Sequence, residues 1–326
     1  MMNKLIRSSL FVLFLFSLLT PVQAKKKNGD ILRLLYWNIQ NGMWDGQTDT
    51  YDRFVDWVKS KNPDVCVWCE AASIYKTGTA ERMDKSEKYL PENWGELAAR
   101  YGHKYWFMGG CRDNYPQVIT SRYPIRGISK IVGAEPDSVV THGAGWAQID
   151  VCGKQINIVT LHLWPMQYSF RIRREEQKAD AEHGGGDHYR RMEIERICKQ
   201  TILTVPESGN QYWMMMGDFN SHSPADNWVY RYPEGDSKLL VHDYIRACTP
   251  YLDVIAERYP DNFYSSVAGK SRIDYVYCTK PLFDRVSDAA IVTDSYTRPL
   301  PDPQGISHFW HPSDHRPILV DFNMNK

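Results

Sequence analysis

The chain has no excess of positive charge. Its 326 residues hold 39 Lys and Arg against 39 Asp and Glu. Lys4 and Arg7 fall in an acid-free N-terminal stretch, so residues 25–326 carry 37 basic and 39 acidic groups, net −2. Proteins that track a polyanionic backbone draw much of their affinity from clustered Lys and Arg, and the composition shows no such surplus. Long apolar runs are also missing. The only apolar block, Leu10 to Leu19, is shorter than the roughly 20 residues that span a bilayer. It lies between a basic start and the small-residue pattern Val22-Gln23-Ala24, the three-part pattern of a cleaved signal peptide. Residues 1–24 therefore read as a leader. The first cysteine is Cys66, so nothing at the cut suggests a lipid anchor. The mature chain is expected to be exported and to have no membrane span.

Internal repeats and low-complexity linkers are absent too, which makes residues 25–326 a single domain in the simplest account. The seven cysteines are odd in number and scattered, in a chain long enough to bury a core without disulfides. Cys66 and Cys69 sit three apart in an apparent strand, on opposite faces, and cannot share one metal.

What the chain does contain is short runs rich in Val, Ile, Leu, Tyr and Trp, bounded by Gly, Pro, Asn or Asp. Ile31–Trp37, Asp64–Cys69, Lys104–Met108, Gln117–Ser121, Gly145–Val151, Gln155–Leu163, Gln211–Met216, Arg272–Cys278 and Pro317–Phe322 read as strands. A hairpin is expected across Val151–Gln155. Helical spacing appears in Asp49–Lys59, Trp94–Tyr101, Tyr189–Leu203 and Leu252–Tyr259. Strands in this number with few helices argue for packed mixed sheets covered by helices. The charged segment Arg171–Arg191 contains His183-Gly184-Gly185-Gly186-Asp187-His188. Its glycines should end any helix, leaving a surface loop beside the site or a pair of ligating histidines.

Six strand ends carry polar residues where an apolar strand would not choose them: Asn38, Glu70, His162, Asp218 with Asn220, Asp274, and Asp314 with His315. Alone, each reads as a turn cap or a satisfied structural residue. Together they supply carboxylate, amide and imidazole groups. Oxygen donors of this kind suit Mg2+, with Ca2+ or Mn2+ as alternatives. Such a set meets the needs of phosphate-ester hydrolysis: a cation against anionic oxygens, a base for water and a protonated imidazole for the developing charge. Asp274 and His315 are the natural carboxylate–imidazole pair.

Gly217-Asp218-Phe219-Asn220, Arg272-Ile273-Asp274-Tyr275 and Ser313-Asp314-His315, in that order with Asn38, Glu70 and His162, resemble the endonuclease/exonuclease/phosphatase superfamily, which includes deoxyribonuclease I. The resemblance implies an α/β four-layer α-β-β-α sandwich: two packed mixed sheets with helices on the outer faces. It makes Glu70 the principal metal ligand, Asn38 its neighbour, and Asp314 a group near the metal. Asp218 would orient or deprotonate water and Asn220 would contact phosphate or water. His162 and His315 would contact phosphoryl oxygens, with Asp274 as the partner of one.

Departures narrow the class. Deoxyribonuclease I has an arginine where this chain has Ala72 and another where it has His142, and both serve DNA phosphates. Thr160-Leu161-His162-Leu163 replaces the Tyr-x-Pro-Asn of abasic-site endonucleases, and Arg272-Ile273 precede the late aspartate where inositol polyphosphate 5-phosphatases have an Arg-Ile-Leu tail after it. Aromatic residues flank the motifs (Trp44, Tyr105, Trp106, Trp164, Tyr168, Phe309, Trp310), as core or as cleft paving; Trp164, Trp310 and His142 are the candidate substrate contacts. The expected activity is hydrolysis of a small-molecule, glycan- or lipid-linked phosphate mono- or diester by direct attack of water, by a monomeric enzyme. A secreted nuclease and an inactive binding module on the same fold are the alternatives.

Overall fold

The computed structural model describes residues 31–325, apart from 74, 77–78, 80, 84–92, 112–114, 134–138, 167–184, 304 and 307–308. The expected leader, Tyr168 and His183 lie outside the described residues. Branched and aromatic runs become the strands β1 (Ile31–Asn38), β2 (Val65–Cys69), β3 (Tyr105–Met108), β4 (Val118–Ser121), β5 (Arg126–Ile131), β6 (Ala144–Val151) and β7 (Lys154–His162). The second half adds β8 (Tyr212–Asp218), β9 (Tyr251–Asp253), β10 (Asp274–Thr279), β11 (Val286–Ile291), β12 (Leu300–Pro301), β13 (Trp310–His311) and β14 (Ile318–Asn323). They form two six-stranded sheets, ordered β11-β14-β1-β2-β4-β3 and β5-β6-β7-β8-β10-β9, plus the small ladder β12-β13. Both sheets are mixed. β1 runs parallel to β2 and antiparallel to β14, while β7 runs parallel to β8 and antiparallel to β6.

Side-chain alternation builds the layers. Leu32, Leu34 and Tyr36 of β1 and Val65 and Val67 of β2 meet Ile156 and Ile158 of β7 and Met214 and Met216 of β8 in the central core. The opposite face of β1 and β2, with Leu35, Trp37, Cys66 and Trp68, packs on the helices Asp52–Lys61 and Trp94–Arg100. Val159, Leu161, Trp213 and Met215 pack on the helices Gly185–Lys199 and Leu240–Cys248. The result is the expected four-layer α-β-β-α sandwich. Cys66 and Cys69 fall in different cores, as their spacing requires. The β6–β7 hairpin turns at Cys152 and Gly153, with φ of 55° and 73°, the left-handed pair favoured in two-residue hairpins.

Several elements differ from the sequence expectation. The polar edge strand β5, the short β9, and β11 were not anticipated, nor was the helix Leu240–Cys248. The helix expected from Tyr189 begins at Gly185, so two of the three glycines lie inside it. No helix among the described residues is long and apolar enough to cross a membrane.

Candidate active site

The site forms where the inner faces of both sheets run out of apolar residues. On β8, Asp218 continues the inward parity of Met214 and Met216; on β10, Asp274 continues that of Val276 and Cys278. His162 follows Ile156 and Ile158 on β7, and Asn38 follows Leu34 and Tyr36 on β1. Strand register then sets them side by side: His162 pairs with Asp218, and Asp218 with Asp274. One row across three strands thus carries an imidazole and two carboxylates.

Asp274 is wholly buried. Its Oδ1 accepts from Tyr36 Oη at 2.7 Å, and its Oδ2 accepts from Ser266 Oγ at 2.8 Å and His315 Nδ1 at 2.7 Å. His315 is positioned by its own backbone as well: its N–H donates to Ser313 Oγ at 3.1 Å, and its carbonyl accepts from Trp37 Nε1 at 2.9 Å. With Nδ1 committed to Asp274, Nε2 faces the cleft, 3.8 Å from both Asp218 Oδ2 and Asp314 Oδ1. Burial opposes charge on this ring, but Asp274 and Asp314 outweigh it and hold its pKa well above the ordinary 6.5. Its contacts therefore favour the protonated ring.

Glu70 leaves β2 through a left-handed turn, φ 53°. Its carbonyl accepts from Gly42 N at 2.7 Å. A Cβ on Gly42 would lie 2.4 Å from Ser73 N, so only glycine lets the two segments touch. The Glu70 carboxylate accepts from Asn41 N at 3.1 Å and Asn38 Nδ2 at 3.2 Å. Asn38 Nδ2 also donates to Asp218 Oδ2 at 3.1 Å, bracketing two acids from different sheets. The amide oxygen of Asn38 is taken by Gln40 N at 3.1 Å.

Among the described residues, the groups whose ligating atoms lie within 4.8 Å of one another are Glu70, His162 and Asp218, and separately Asp218, Asp274 and His315. Burial, and then the charge of Asp274, push Asp218 up to about 8, with His315 pulling the other way. Burial and Asp314 raise Glu70. Burial, His142 and His315 hold His162 well below 6.5, leaving it neutral, with its Nε2 3.7 Å from Asp218 Oδ2. Asn220, also left-handed at φ 47°, donates its Nδ2 to Leu163 O at 3.0 Å and its N–H to Asp218 Oδ1 at 2.9 Å.

These groups face one cleft of about 810 Å³. Asn38 and Asp274 lie beneath it; Glu70, His162, Asp218, Asn220, Asp314 and His315 line it. One wall is a ring stack in which His142 lies 4.5 Å from His162 and 5.6 Å from Trp164 by centroids. Trp310, Gln40 and Tyr75 also line the cleft. Of the other aromatics singled out, Trp44 and Phe309 pack on each other. Tyr105 and Trp106 sit exposed on β3 at a sheet edge, away from the cleft.

The sequence profile described as the Endonuclease/Exonuclease/phosphatase family matches residues 35–315. The chain belongs to that family. Members are phosphoesterase or nuclease hydrolases. No curated protein matches the chain in sequence. Among solved structures, an AP endonuclease from Archaeoglobus fulgidus is 16% identical with a TM-score of 0.58, covering 90% of this chain and 99% of its own. A humanized D. rerio TDP2 with 14 mutations is 15% identical, TM-score 0.55, over 90% of this chain and 99% of that one. An endonuclease/exonuclease/phosphatase from Beutenbergia cavernae DSM 12333 is 16% identical, TM-score 0.59, over 90% and 72%. At these identities the likeness is one of fold.

Enzymes of this family use divalent cations, and the donor set here fits one. Glu70, Asp218 and Asp314 gather around an imidazole, and among the described residues no Lys or Arg lines the cleft to neutralise them. Several supporting residues escaped the sequence reading. Tyr36 and Ser266, which fix Asp274, look like ordinary strand and loop residues, and only tertiary pairing reveals them. Ser313, beside Asp314 in the sequence, donates its Oγ to Asn38 O at 2.8 Å.

Proposed function

We propose that this family member is an exported, metal-dependent phosphoesterase that cleaves a phosphate mono- or diester by direct, in-line attack of water. The observation that carries the reading is the Asp274–His315 pair facing Asp218 and Glu70 across one cleft. Asp218, whose Oδ1 is held by the Asn220 N–H, aims Oδ2 into the site, where it orients water and takes its proton. His315, kept charged by Asp274, donates from Nε2 to a phosphoryl oxygen as negative charge builds there. His162, neutral on the opposite side of Asp218, offers a second contact to the phosphoryl group. Held by Glu70, with Asp314 nearby, a divalent cation would polarise the phosphoryl group and, beside Asp218, keep that carboxylate ionised. No Ser, Thr or Cys is among the described lining residues, which supports water as the nucleophile.

The same lining bears on the nuclease alternative. A polynucleotide needs several cationic contacts along its backbone, and the described walls are aromatic and acidic. A smaller ester with one reacting phosphoryl group fits this chemistry better.

The test is a panel of aryl phosphomonoesters and diesters with Mg2+, Mn2+ and Ca2+. Glu70→Ala and His315→Ala should each lower turnover roughly a hundredfold or more, with far-UV circular dichroism unchanged. Wild-type rates in both folded variants would reject the assignment. Export is tested by sequencing the N-terminus of the mature protein from the native host, with Lys25 as the expected first residue.

A further inference from the structure

Glu193 is a fully buried carboxylate on the helix Gly185–Lys199 that the chemistry above does not use. Its Oε1 accepts from Thr141 N at 3.0 Å and Thr141 Oγ1 at 2.7 Å; its Oε2 accepts from Trp164 N at 2.8 Å. One side chain therefore ties together two segments that lie just outside β6, which starts at Ala144, and β7, which ends at His162; their other anchors include Gln117 Nε2 on His142 O at 3.3 Å and the Leu163 N–H on Asp218 O at 2.9 Å. Those segments carry His142, next to Thr141, and Trp164. One turn earlier on the helix, Arg190 Nη1 donates to the carbonyls of Trp164 at 3.2 Å and Pro165 at 2.9 Å, gripping the second segment again. Burying a charge against neutral donors is costly. A helix placed only to cover a sheet would use an apolar residue there.

We propose that Glu193 is the positioning residue of the cleft wall: it sets the His142–Trp164 stack that grips the alcohol portion of the substrate. The inference rests on the phosphoesterase reading and deepens it. The backbone of His162 is set by the β7–β8 register and Glu193 makes no bond to it, so Glu193 reaches the reacting groups only through the His142 ring stacked on His162 at 4.5 Å. Removing Glu193 should loosen binding more than chemistry, a change in KM with kcat largely kept.

The experiment uses 4-nitrophenyl phosphate or bis(4-nitrophenyl) phosphate, whichever the full-length protein cleaves faster. Glu193→Ala should raise KM roughly tenfold and change kcat less than about twofold; Glu193→Gln, which keeps one acceptor oxygen, should fall between. In a Trp164→Ala background, Glu193→Ala should raise KM no further, because both act through the same wall. If Glu193→Ala does not fold, Thr141→Val, which deletes one of the three bonds, carries the test with a smaller shift. A KM equal to wild type in the folded variants, or effects that multiply with Trp164→Ala, would overturn the proposal. A wild-type protein inert toward every ester in the panel would instead remove the phosphoesterase reading, and this one with it.

Discussion

Asp274 receives three hydrogen bonds and does not line the cleft. Its work is done through His315: one carboxylate oxygen fixes the tautomer and raises the basicity of the ring. Asp274→Asn keeps the shape and removes the charge, and with it the main reason His315 stays protonated. Turnover should fall roughly 10²–10⁴-fold, and the alkaline limb of the pH–rate profile should move to lower pH. The stability argument has the same sign. A His pKa raised above 6.5 contributes stability that is full below that value and is lost as pH rises through the folded-state pKa. Urea unfolding at pH 6 and pH 9 should therefore show the wild type losing more stability over that range than Asp274→Asn. An unchanged pH profile in the variant would mean that another group keeps His315 charged. Asp274 and His315 were both legible in the sequence as a carboxylate and an imidazole at strand ends. Tyr36 and Ser266 were not, since a tyrosine in a strand and a serine in a loop have default explanations that need no partner. Glu193 was hidden in the same way, reading as one more acid on a charged helix.

At the level of elements, the Gly217-Asp218-Phe219-Asn220 motif has a packing reason as well as a chemical one. Gly217 pairs with Leu161 across the β7–β8 ladder, and a Cβ there would fall 2.1 Å from Leu161 O. Gly217→Ala should destabilise the fold by about 3 kcal/mol, the upper range for overpacking a close contact. It should also displace Asp218, its neighbour in the chain. Chemical denaturation checks the first effect and turnover the second; a folded variant with wild-type values for both would show that the two strands can part without consequence. Strands with a clear apolar run, such as Leu34-Leu35-Tyr36-Trp37 and Met214-Met215-Met216, were legible because burial on both faces leaves little choice of residue. Arg126–Ile131 was not, being an edge strand largely exposed along its length, where polar residues carry no alternation. Val241, Tyr244 and Ile245 are spaced for a helix face, so this helix is present in the apolar pattern. The glycines at 185 and 186 misled because a breaker in isolation is tolerated at the first turn of a helix held by tertiary contacts.

Across the whole molecule, folding brings together acids that are far apart in the chain. Glu70, Asp218, Asp274 and Asp314 come from both halves of the sequence, and their order along it said only that they could meet. The meeting follows from two sheets packed face to face whose inner faces become polar at the same edge. The arrangement also costs stability. Asp218 is pushed up to about 8 by burial and its acidic neighbours, and Glu70 is raised as well. Without a counter-ion the folded chain therefore opposes the ionisation of these acids, and the described lining sets only His315, with no Lys or Arg, against them. An ion that binds only the folded state relieves this and stabilises by RT ln(1 + [L]/Kd), about 2.7 kcal/mol at one hundred times Kd. Adding Mg2+ or Mn2+ to chelator-treated protein should raise the melting temperature by several degrees, and Glu70→Ala should abolish most of that rise. The variant should at the same time melt higher than the chelator-treated wild type, because one repelling carboxylate is gone. A wild-type melting temperature indifferent to divalent ions would mean that the acids are balanced by some other means, and that the cluster does not serve a cation.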